Sequence, residues 1–139
     1  MQGLYFEDLT EGQSAELTRV ASVEVTQAFA EVSGDVNPVH LDEAYAKGTS
    51  FGGRIAHGML SAAYISAVLG TKLPGPGAIY LSQTLRFRRP VRLGDSVTAR
   101  VTVKALDADR GHVTLTTVCE VNGKAVVDGE AVVMVPRRP

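Results

Sequence analysis

The run Ser33-Gly34-Asp35-Val36-Asn37-Pro38-Val39-His40 sets a carboxylate and an imidazole five residues apart. Pro38 lacks an amide hydrogen and pushes Asn37 away from helical backbone, so Asp35 and His40 are expected on a turn that aims both at one point. Side chains of these two types are the ones that carry protons to and from a reacting group. Asp and Asn are also ordinary turn formers that bond to nearby backbone, and on that reading His40 only begins the next element.

A second segment, Gly52-Gly53-Arg54-Ile55-Ala56-His57-Gly58-Met59, leads into an apolar helix. The Asp35-x-Asn37-Pro38-x-His40 loop followed by the His57-Gly58-Met59 helix start resembles the MaoC-like hydratases, most closely the (R)-specific enoyl-CoA hydratases. The resemblance continues through Pro74-Gly75-Pro76-Gly77-Ala78-Ile79-Tyr80-Leu81 and Leu85-Arg86-Phe87-Arg88-Arg89-Pro90-Val91, covering nearly the whole chain. It implies reversible addition of water to a trans-2-enoyl-CoA. Such a reaction needs a base for water, an acid for the α carbon and donors for the thioester oxygen as it gains enolate charge.

By the same resemblance, Asp35 orients and activates the water, while His40 shares in holding it and in the proton transfer. Both groups on one face of the substrate imply syn addition and an (R)-3-hydroxyacyl product. Asn37, between them in the motif, is expected among the substrate-binding residues. No cofactor is expected, and no metal-ligand cluster of cysteines and histidines is visible.

The backbone amide of Gly58 is the expected oxyanion donor, because first-turn amides lack helical partners and the helix dipole favours negative charge there. Glycine would also serve close helix-to-sheet packing. His57 reads as structural, its neighbour supplying the amide. Ser66 and Leu69, three apart on one helix face, are candidates to line the acyl tunnel, although core packing explains Leu69 equally well. Met134 could close that tunnel if its strand faces the helix, or could be flexible filler. The arginines Arg86, Arg88 and Arg89 could meet coenzyme A phosphates, but alternation along a strand favours a solvated face.

Rival readings are a dehydratase acting on 3-hydroxyacyl carrier protein, a hot-dog thioesterase using a lone carboxylate, and a non-catalytic acyl-binding protein. The Asn37-Pro38-Val39-His40 stretch argues against the thioesterase. Acyl chain length and thioester carrier are open at this point.

With 139 residues, 45% of them hydrophobic, the chain suits one domain spanning 1–139 with a buried core. A net charge of −1, from 14 basic and 15 acidic residues, gives no general attraction to nucleic acid or anionic membrane. The single Cys119 excludes an internal disulfide and sits in an apolar strand pattern. The amino terminus lacks the basic start and apolar stretch of a signal peptide, so a cytoplasmic location is expected. The stretch Ile55 to Leu69 is too short and too interrupted for a membrane span.

The elements that must position these residues follow from pattern. A strand is expected over Ser14 to Ala21, then a helix from Val23 to Val32, capped by Ser22, with Val25, Phe29 and Val32 on one face and Gly34 ending it. A short helix is expected from Asp42 to Lys47 and the main helix from His57 to Leu69. Val97, Ala99, Val101 and Val103 alternate with polar residues, and strands at His112 to Val121 and Ala125 to Val135 flank the turn pair Asn122-Gly123. A helix this apolar needs about five antiparallel strands wrapped around it, an α+β arrangement. The specific hot-dog topology, and a homodimer with the site near its interface, are implied by the family resemblance.

Overall fold

In the computed structural model, which describes residues 1–139, a single 3-10 turn at Phe6–Asp8 precedes strand β1 (Ser14–Val20). Helix α1 (Val23–Ser33) starts where the Ser22 hydroxyl accepts from the Val25 amide at 3.1 Å. It stops at Gly34, whose φ of 78° lies in the left-handed region that glycine enters freely. Val25 and Phe29 of the expected apolar face pack against the core, but Val32 is 86% exposed, and the fully buried residues are Thr26 and Ala30, whose small side chains let the helix pack closely.

The stretch after Gly34 is not all turn. Pro38 opens a one-turn helix, α2 (Pro38–Leu41), with Asn37 as its cap accepting from the Val39 amide at 3.1 Å. Proline suits the first helical position, where no intrahelical acceptor exists for an amide hydrogen and φ is already helical. His40 is therefore carried on a helix and Asp35 on the loop before it. Helix α3 (Glu43–Lys47) follows directly, capped by Asp42.

Helix α4 (Gly58–Thr71) is the centre of the molecule, with Leu60, Ser61, Ile65, Val68 and Leu69 buried. Each fully buried aliphatic side chain of this kind contributes roughly 1.5–3 kcal/mol. The strands that cover it are β2 (Ile79–Gln83), β3 (Arg86–Phe87), β4 (Ser96–Asp107), β5 (His112–Val121) and β6 (Lys124–Met134). All pairs are antiparallel, in the order β1-β4-β5-β6-β2, and β3 also pairs with β6. Only Arg86 and Phe87 of the Leu85 to Val91 segment are strand. The expected alternation holds in β4, where Val97, Ala99, Val101 and Val103 all face the core. Asn122 (φ 52°) and Gly123 (φ 77°) form the β5–β6 hairpin turn.

The wrapping is incomplete in one direction. Met59, Ala63, Ser66 and Gly70, spaced at helical intervals, form an exposed stripe along α4. Beside it lies β2, an edge strand whose Ile79, Tyr80 and Leu81 are also exposed. No helix is long and apolar enough to cross a membrane.

Candidate active site

Three backbone devices hold Asp35. The Ser33 hydroxyl donates to the Phe29 carbonyl at 2.6 Å and accepts from the Asp35 amide at 3.1 Å. The Asp35 carboxylate in turn accepts from the Asn37 amide through Oδ1 at 3.2 Å, which leaves Oδ2 free. Asn37 is thus engaged twice, by its amide to Asp35 and by its side chain to the start of α2. It is exposed, so its fixed duty is to shape the loop.

His40 is buried, and its Nδ1 donates to the Ile55 carbonyl at 2.7 Å. A carbonyl can only accept, so the proton is assigned to Nδ1 and the lone pair to Nε2. His57 lies beneath. Its ring centroid is 3.8 Å from that of His40 with 31° between the planes, and 4.8 Å from that of Phe29. Its Nε2 donates to the backbone carbonyl of Asp35 at 2.9 Å. A carboxylate oxygen of Asp35 and one ring nitrogen from each histidine lie within 4.8 Å of one another.

That trio has the donor types of a metal site, which the sequence did not suggest. Nδ1 of His40 and Nε2 of His57 are each committed to a backbone carbonyl, however, and the two rings overlap face to face with 31° between their planes, so only one nitrogen of each remains. The arrangement suits proton transfer better than ligation.

Gly58 is the first residue of α4, and its amide has no intrahelical acceptor. A Cβ built on Gly58 would stand 2.7 Å from two ring carbons of Phe87, so the ring rests directly on the glycine and would have to move aside for any side chain there. Asp35, His57, Gly58, Met59 and Phe87 share the wall of a cavity of about 520 Å³. Arg88 and Arg89 line it too, where a solvated face was expected. Arg88 is paired with Asp128 at 3.1 Å and Arg89 donates to the Ala125 carbonyl at 2.6 Å.

The remaining candidates separate. Ser66 lines a second, apolar groove of about 570 Å³ with Phe29, Ala62, Ala63, Leu81 and Leu85, and Met59 is common to both spaces. Leu69 is not in the groove. It is 2% exposed and belongs to the core, because it lies on the sheet-facing side of α4 while Ser66 lies on the uncovered stripe. Met134 is likewise elsewhere, in a small depression with Gly77 and Ile79. The alternation of β6 turns Ala131 and Val133 inward and Met134 outward, away from the helix. Phe87 was not expected at the cavity, and His57 and Met59 entered only as parts of the helix-start motif, His57 being read as structural.

Known proteins share this sequence and fold. The family model described as "MaoC like domain" matches residues 8–133. An (R)-specific enoyl-CoA hydratase of Rhodospirillum rubrum is 58% identical over 134 residues, covering 96% of this chain and 93% of that protein. A 3-hydroxybutyryl-CoA dehydratase of Methylorubrum extorquens is 52% identical, covering 97% and 86%. The solved unliganded R-hydratase of Pseudomonas aeruginosa superposes with a TM-score of 0.93 at 50% identity, over 98% of this chain and 88% of that one. Matched in sequence and fold along nearly its full length, with Asp35 and Gly58 on the wall of one cavity and His40 buried behind it against His57, the chain belongs to the MaoC-like domain family.

Proposed function

We propose that the protein is an (R)-specific enoyl-CoA hydratase, adding water reversibly across a trans-2-enoyl-CoA to give the (R)-3-hydroxyacyl-CoA. The observation that carries this reading is the approach of the Asp35 carboxylate and the His40 imidazole beside the unpaired amide of Gly58. The relatives named as hydratase and dehydratase supply the reaction class.

Water sits between Oδ2 of Asp35 and Nε2 of His40. As one of them takes its proton, the hydroxyl oxygen bonds to the β carbon. The π electrons move towards the thioester, whose oxygen gains charge against the Gly58 amide and the positive end of α4. The α carbon then receives a proton from the same pair, on the same face, and the enzyme returns to its starting state. The acyl tail runs past Met59 into the groove that Ser66 lines. The guanidinium groups of Arg88 and Arg89 suit the phosphate-bearing carrier.

The enzyme works as a homodimer. The exposed Met59, Ala63 and Ser66 stripe and the free edge of β2 adjoin one another, and a second copy would cover both and close the groove.

The test is loss of enoyl absorbance from crotonyl-CoA, with product configuration and free thiol measured together. An (R)-3-hydroxyacyl thioester without thiol release is the expected result. Thiol release would replace the reading with a thioesterase, and inertness towards enoyl-CoA of any length would replace the carrier with an acyl carrier protein.

A further inference from the structure

Resting on the hydratase reading, we propose that His57 is a positioning residue that ties the Asp35 loop and the His40 ring to the first turn of α4. Three observations meet at this side chain. It is 2% exposed, and its single hydrogen bond goes to the Asp35 carbonyl 22 positions upstream. Its ring covers one face of His40, the ring whose edge is already held by the Ile55 carbonyl. It also immediately precedes Gly58, so one residue joins the water-activating pair to the oxyanion donor.

Two features are hard to reconcile with plain core packing. His57 Nδ1 is buried without any partner, a cost that an apolar ring of the same shape would avoid. His57 also occupies the cap position of α4 yet makes no capping bond, whereas a Ser or Asp there would accept from the first-turn amides. By sending its side chain back to Asp35, His57 leaves those amides free for the thioester oxygen. Positioning errors near 1 Å cost about 100-fold in rate, so a clamp between both halves of the site has a kinetic value out of proportion to its stability.

Two variants separate the contributions. His57→Phe keeps a ring against His40 and removes the donor; His57→Gln places an amide N–H where Nε2 stood. Crotonyl-CoA hydration is the readout, with melting temperature recorded for each protein. We expect His57→Phe to fold and to lose about 10- to 100-fold in kcat with KM within about threefold of the parent, and His57→Gln to recover most of that loss. A kcat for His57→Phe within twofold of the parent would overturn the proposal, as would losses in both variants that merely track a fall in melting temperature. If His57→Phe does not fold, a 10-fold or greater loss of kcat in His57→Gln at an unchanged melting temperature refutes the clamp, and with near-parent kcat the position of the ring proton decides.

Nitrogen-15 NMR of the parent protein reads the same bond without turnover. A proton on Nε2 of His57 is expected, and a proton on Nδ1 would overturn the assignment. An inert parent with the Nε2 proton in place would count against the hydratase reading and leave the clamp standing.

Discussion

The bond from His40 Nδ1 to the carbonyl of Ile55, 2.7 Å long, settles which nitrogen of that ring is available for chemistry. With Nδ1 committed, Nε2 must be the acceptor beside Asp35. Asp35→Asn and His40→Ala are each expected to lower hydration by about 10²- to 10⁴-fold, the usual worth of a proton-transfer group. Their stabilities should differ. Asp35 is exposed and Asn preserves its acceptor for the Asn37 amide, whereas His40→Ala leaves the Ile55 carbonyl without its donor, costing about 1 kcal/mol. Calorimetry beside kinetics checks both, and full activity in the two variants would remove the pair from the mechanism.

Gly58→Ala separates the two uses of that glycine. The added methyl would meet the Phe87 ring at 2.7 Å, but Phe87 is 56% exposed and free to swing outward. A stability change below about 1 kcal/mol is expected, with a fall in kcat because the methyl and the displaced ring crowd the thioester oxygen. Adding Phe87→Ala should restore any lost stability without restoring kcat. Recovery of kcat in the double variant would make packing the sole role of Gly58.

Ser66 and Leu69 are neighbours on α4 with different fates. Leu69→Ala, in the core, is expected to cost about 2–5 kcal/mol with little change in chain-length preference. Ser66→Leu, filling the groove, should leave stability nearly unchanged and lower kcat/KM for octenoyl-CoA about tenfold relative to crotonyl-CoA. The reverse pattern, read from urea unfolding and a chain-length series, would move the acyl tail to another wall.

Burial pushes the Cys119 thiol from its ordinary 9.0 up to about 12, its Sγ lying against the Ser61 carbonyl at 3.3 Å. Below about pH 9 the thiol is protonated in both folded and unfolded chains. Above it only the unfolded chain ionises, so stability falls as pH rises from about 9 towards about 12. Burial raises Tyr64 and Tyr80 in the same direction. Urea midpoints at pH 7 and pH 10 should therefore diverge less for Cys119→Ala than for the parent, and native Cys119 should resist thiol reagents until unfolding. Rapid modification at pH 8 would contradict the burial argument.

Much of the site was legible because its parts are local. A cap, a left-handed glycine and the Asp35-Asn37-Pro38-His40 spacing act over fewer than ten residues, and strand alternation in β4 needs only its own side chains. Pro38 was misread for a physical reason: proline breaks a helix interior but suits a first turn, and only the Asn37 cap shows which applies.

The amino-acid sequence by itself determined the motif residues, the apolar helix that must be enclosed and the antiparallel strands that enclose it. Tertiary structure alone decided that His57 bonds to Asp35 and stacks on His40, that Phe87 rests on Gly58, that Leu69 faces the sheet while Ser66 faces the groove, and that Met134 points outward. Local pattern specifies which face of an element is apolar. What meets that face depends on strand order and register across dozens of residues, where a one-residue shift reverses every side chain.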